Sequence, residues 1–142
     1  MSHRVTSQIS CSPVEAPGAD LGAIRIYLSN LLDRFEASDG FGIGCLVGNT
    51  LTQIPAEDVA TREKLLEHCA RLTEGFRKVL THENGTDGPL TASEIDDLAR
   101  YTMISVQGLW SYSRLTDDAQ VLRAYSDRLV ESLEARLRGA AH

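Results

Sequence analysis

Basic residues never gather on one segment of this 142-residue chain: 14 Lys and Arg are scattered against 20 Asp and Glu, for a net charge of -6. Binding a phosphate backbone requires many cations on one surface, so direct contact with DNA or RNA by this chain alone is not expected. An anionic membrane surface is disfavoured for the same reason. No apolar stretch approaches the roughly 20 residues needed to cross a bilayer, and no hydrophobic signal segment opens the sequence. Cys11, Cys45 and Cys69 are an odd set without a C-x-x-C pair, which reads as free thiols of a cytoplasmic protein.

The signatures of catalysis are missing too. Gly40, Gly42, Gly44 and Gly48 follow no strand and have neither Rossmann spacing nor a P-loop lysine. The serines include no nucleophile elbow. His82 with Glu83 lacks the second histidine of a zinc helix, and His68 has no carboxylates at metal-binding spacing. A protein that is not an enzyme, and that needs no metal or cofactor, is the expectation.

What is present is an ordinary globular composition, 42% hydrophobic and 24% charged, in a chain long enough for one core. Residues 1–18 carry Ser, Pro and Gly with only Val5, Ile9 and Val14 as apolar markers, and read as a mobile lead-in or a frayed helical remnant. A single domain over residues 19–142 follows. Asp20 is placed to cap a helix whose apolar residues fall at Leu21, Ile24, Leu28, Leu31, Leu32 and Phe35. Ser38-Asp39-Gly40 ends it. Cys45 to Ile54 is short, uncharged and apolar on several sides, and is expected to form a small buried helix before Pro55.

The strongest periodicity comes next, with Val59, Arg62, Leu65, Leu66, Cys69, Leu72, Phe76, Val79 and Leu80 recurring three or four apart. Glu67 to Arg71 and Glu74 to Lys78 have the spacing of exposed ion pairs on that helix. A turn-rich run from His82 to Pro89 stops it. Thr91 and Glu94 then have capping-box spacing, with Leu90 and Ile95 as the hydrophobic staple, so a helix is predicted to begin at Ala92.

That helix has two apolar faces. Ile95, Ala99, Met103, Val106, Leu109 and Trp110 lie on one; Tyr101, Ile104, Gly108 and Tyr112 lie nearly opposite. A helix apolar on opposite sides needs two partners. Arg114 to Asp118 breaks it and caps a last helix with a stripe of Leu122, Tyr125, Leu129, Leu133 and Leu137 running to Gly139. Behind that stripe lie Val121, Ala124, Ser132 and Ala135, which would let a second backbone approach closely, as in a symmetric pairing. The expected architecture is an all-α bundle of five helices without strands.

Three local patterns resemble the C-terminal domain of TetR/AcrR-type transcriptional regulators over roughly Asp20 to Gly139. They are Gly44-Cys45-Leu46-Val47-Gly48-Asn49; Val106-Gln107-Gly108-Leu109-Trp110 followed by Ser113-Arg114-Leu115; and Leu122-Arg123-Ala124-Tyr125 with Asp127-Arg128-Leu129. The resemblance does not extend to a DNA-binding head, since no helix-turn-helix precedes Asp20. It implies a homodimer through a four-helix interface made by the last two helices, involving Tyr101, Ile104, Gly108, Tyr112, Val121, Ala124 and Arg128. It also implies a pocket for a small, mostly apolar effector among the first four helices. A headless partner that heterodimerises with a full-length regulator is the alternative expectation.

Candidate pocket residues are Cys45, Asn49, Leu72, Phe76, Met103, Gln107 and Trp110. Asn49 supplies an amide to backbone or ligand, while Cys45 reads first as a small buried hydrophobe. Leu72 and Phe76 are core before they are lining. Trp110, Met103 and Gln107 combine an aromatic wall, a deformable thioether and an orienting amide, a set that suits a ligand pocket and ordinary packing equally well.

Overall fold

A computed structural model describes residues 11–37 and 58–139. Within them are five helices and no strands: α1 (Ser12–Glu15), α2 (Leu21–Ala37), α3 (Val59–Asn84), α4 (Ala92–Tyr112) and α5 (Ala119–Leu137). The all-helical class follows the sequence, although the five are not the same five. The short helix expected over Cys45 to Ile54 lies outside the described residues, and α1 falls in the segment read as a mobile lead-in or a frayed helical remnant.

The helix boundaries follow from capping chemistry. The Asp20 carboxylate accepts from the Gly22 N–H at 2.9 Å, satisfying one of the orphan donors of the first turn of α2. Thr91 accepts from the Glu94 N–H at 3.1 Å while the Glu94 carboxylate accepts from the Thr91 N–H at 2.9 Å, so the capping box predicted at Ala92 is complete. Asp118 caps α5 by accepting from the Gln120 N–H at 2.9 Å. The run from His82 was expected to exclude helix, yet α3 continues to Asn84 and ends at Gly85, whose φ is +66°. Asn84 explains the extension: its side-chain amide donates to the Leu90 carbonyl at 3.0 Å and its oxygen accepts from the Leu90 N–H at 3.1 Å. One side chain thus closes the turn and fixes Leu90 ahead of α4.

The core is one cluster. Ile24, Tyr27, Leu28 and Phe35 of α2, Leu72, Phe76, Val79 and Leu80 of α3, Val106 and Trp110 of α4, and Leu122 and Leu133 of α5 are all buried in it. α4 packs chiefly on α3, and α5 bridges α2 and α4. Ion pairs fasten α5 to α2 along the solvent edge, Arg25 to Glu134 at 3.3 Å and Arg123 to Glu36 at 2.6 Å. Exposed pairs of this kind each contribute roughly 0–1 kcal/mol, so the apolar cluster carries most of the stability.

Five expectations need correction. Cys11 and Val14 are buried in the core, so the segment before Gly18 is packed from Cys11 onward. Arg71 does not pair with Glu67; its guanidinium makes a two-pronged contact with Glu15 of α1, Nε to Oε2 at 3.0 Å and Nη2 to Oε1 at 2.7 Å. Glu74 pairs with Arg77, one turn position nearer than Lys78. In both cases the planar arginine fork finds a carboxylate it can grip with two nitrogens, which a point-charge partner cannot offer. On α3, Val59 and Leu66 are exposed and unbroken burial begins only at Leu72, because periodicity marks a face without saying how far along the axis a covering partner extends. On α5, Tyr125 is exposed rather than inward.

Candidate functional site

α4 presents two apolar faces, and they differ in what covers them. The inner face, Ile95, Ala99, Met103, Val106, Leu109 and Trp110, is buried. Its centre is an aromatic group that the stripe reading had overlooked. Tyr27 of α2 meets Phe76 of α3 edge-on with ring centroids 6.0 Å apart, and meets Trp110 of α4 at 6.1 Å with a 50° tilt. Such arrangements suit the quadrupoles of the rings and add about 0.5–1.5 kcal/mol each beyond area burial. The signal for Tyr27 was available: it stands three residues after Ile24 and four before Leu31, on the stripe itself.

Of the seven candidate pocket residues, Cys45 and Asn49 lie outside the described residues. The other five come from adjoining helices. Leu72 and Phe76 have no solvent-exposed surface, Met103 and Trp110 are buried, and Gln107 is half-buried one turn from each of them on α4. The Trp110 indole N–H is enclosed and meets no acceptor among the described residues. A buried donor without a partner costs about 1–3 kcal/mol, so the indole N–H has hydrogen-bonding capacity left to offer.

The outer face is exposed. Ile104 retains 69% of its surface, Tyr112 47% and Tyr101 45%, and across the neighbouring helix Val121 and Tyr125 are each 45% exposed. Gly108 sits among them with nothing within 4 Å of where a Cβ would project. Between α4 and α5 this leaves a groove of about 370 Å³ lined by Gly108, Leu109, Tyr112, Val121, Leu122 and Tyr125. Ala124 and Arg128 are exposed beside it, the Arg128 side chain at 84%. The seven candidate interface residues therefore share one open surface. Leu115, in the α4–α5 turn, is a further exposed apolar residue at 77%, one that periodicity does not flag because it stands outside both helices. Charged pairs stand at the edge, Arg100 with Asp97 and Arg128 with Glu131.

Comparison with protein-family models, curated proteins and solved structures finds no match for this chain. The site must be read from its own geometry. Among the described residues no group of three His, Cys, Asp or Glu side chains could hold a metal ion, and no helix is long and apolar enough to cross a membrane.

Proposed function

We propose that this chain is the effector-sensing and dimerisation part of a TetR-type transcriptional regulator, with α4 and α5 pairing against the same helices of a second copy. The observation that carries the proposal is the outer face of α4. An apolar strip through Tyr101, Ile104, Gly108 and Tyr112 is continued by Val121 and Tyr125 and edged by charged pairs, the anatomy of an interface with an apolar centre and a polar rim. Covering one Ile or Val side chain contributes about 1.5–3 kcal/mol relative to exposure, and a twofold axis doubles every such contact. Gly108 lets the opposed backbone approach where any larger residue would hold it off.

Sensing is assigned to the opposite face of the same helix. Phe76, Met103 and Trp110 supply apolar contacts, and the unpaired indole N–H supplies a donor for a carbonyl or ether oxygen. One helix then touches both effector and twin, so a ligand that prefers one placement of α4 shifts the arrangement of the dimer. A thermal-shift screen of small apolar compounds carrying a hydrogen-bond acceptor tests this. A bound effector at about 100 times its Kd stabilises the folded state by roughly 2.7 kcal/mol, and Trp110→Phe reduces that gain selectively for acceptor-bearing compounds. No stabilisation by any compound of this class would remove the sensing half of the proposal.

A further inference from the structure

α1 is held against α3 by three contacts at regular intervals. Val14 is buried over Gly75, where a Cβ would lie 2.6 Å from Val14 Cγ2. Glu15 takes the Arg71 guanidinium, and Cys11 Sγ stands 3.8 Å from Nδ1 of His68. Positions 68, 71 and 75 follow one face of α3, so the four-residue helix lies along that face as a strap. Ala16 is extended behind it and Gly18 has φ of +72°, which turns the chain into α2.

The imidazole is the weak point of the strap. Its Nε2 is buried and has no hydrogen-bond partner among the described residues, and Nδ1 faces only a thiol. A neutral ring tolerates this, because one nitrogen carries no proton and the other has sulfur nearby. A protonated ring has two donors, and among the described residues the acceptor at hydrogen-bonding distance is a weak sulfur. The charged groups facing the ring are Arg71 from its own helix and Glu15 from α1. Glu15 is already gripped by the Arg71 fork. Burial first, and Arg71 second, hold the His68 imidazole below the ordinary histidine value of 6.5, with Glu15 opposing them.

We propose that His68 is an acid-sensitive latch: neutral, it lets α1 lie on α3, and protonated, it drives α1 off that face. The sign follows from proton linkage. The docked form holds its proton less tightly than the released form, so docking is undiminished above pH 6.5 and weakens as pH falls below it. The loss levels off once pH passes the docked-form value. Within that window the docking constant falls by up to about tenfold per pH unit. Glu15 acts in the same direction but lower on the pH scale: in the docked form the Arg71 hydrogen bond holds its carboxyl below the ordinary value of 4.5, so its contribution is lost around and below that value and not near 6.5. The latch is independent of the dimer and of the effector.

The test is an NMR titration of the full chain from pH 7.5 to 5.0, following the Val14 and Glu15 amides together with the His68 ring. The expected result is a shift of both amides toward unstructured positions, with the His68 midpoint below 6.5, while α4 and α5 resonances stay in place. His68→Gln, which keeps a polar side chain that cannot titrate, removes the transition. If His68 titrates at or above 6.5, if it titrates while Val14 and Glu15 stay docked, or if the transition survives in His68→Gln, the latch is refuted. Should His68→Gln leave α1 undocked at every pH, the wild-type ring and amide midpoints decide between the same outcomes.

Discussion

Gly75 is the position at which the packing of α1 can be tested most sharply, because two well-calibrated effects oppose each other there. Replacing a glycine inside a helix by alanine ordinarily stabilises by about 1 kcal/mol. Here the new methyl would lie 2.6 Å from Val14 Cγ2, 3.2 Å from Val14 Cβ and 3.4 Å from the Val14 carbonyl oxygen. A β-branched side chain has little rotamer freedom with which to move aside, so α1 itself must shift. Overpacking of this kind costs roughly 1–3 kcal/mol, which predicts that Gly75→Ala lowers stability by about 0–2 kcal/mol in place of raising it.

Val14→Ala removes the Cγ2 contact while losing about 1.6 kcal/mol of methyl burial. In that background the alanine at 75 loses the 2.6 Å contact and still meets the position-14 Cβ at 3.2 Å, so a shift of a few tenths of an ångström lets its helical advantage reappear as a gain of up to about 1 kcal/mol. The two changes are therefore non-additive, with a coupling of about 1–3 kcal/mol. Urea unfolding at pH 7.5, above the range in which His68 titrates, gives the midpoints and slopes for all four proteins. If Gly75→Ala raises stability equally in both backgrounds, α1 is not seated on α3.

Thr91→Ala removes one half of the capping box at the start of α4 and should cost about 1 kcal/mol, read as a lower urea midpoint with an unchanged slope. Cys11 and Cys69 both have thiols pushed up by burial, so at pH 8 each reacts with a disulfide reagent more slowly than a free thiol and reaches the free rate in urea. Thiols that react at the free rate in the folded protein would contradict their packing. Arg123→Ala breaks the contacts to Glu36 and Asp33; as these side chains are partly exposed, the loss should be under about 1 kcal/mol and should shrink further in high salt.

The legible parts of the fold were those written in local chemistry. Thr91 and Glu94 fixed the start of α4 to the residue because a capping box is satisfied within four positions. The two apolar faces of α4 were equally plain, since a period of 3.6 residues separates Met103 and Trp110 from Ile104 and Gly108. Contacts between distant segments were not. Nothing near Val14 in the chain announces Gly75, and nothing near Arg71 announces that Glu15, 56 positions away, outcompetes Glu67. Tyr125 was assigned inward because it shares a stripe with Leu122 and Leu129, but it stands at the margin of that stripe and the α4–α5 groove opens beside it. Tyr27 was legible from spacing, for its position on the α2 stripe is as regular as that of Leu28.

The central claim is that the exposed face of α4 and α5 belongs against a second copy of itself. Light scattering on the size-separated chain at low micromolar concentration measures this directly. The account predicts a mass of twice 15.5 kDa, falling to a single chain in Gly108→Arg, whose cation would enter the close helix contact, with its helix content unchanged. A wild-type chain that stays monomeric, or a Gly108→Arg chain that stays fully dimeric, contradicts it.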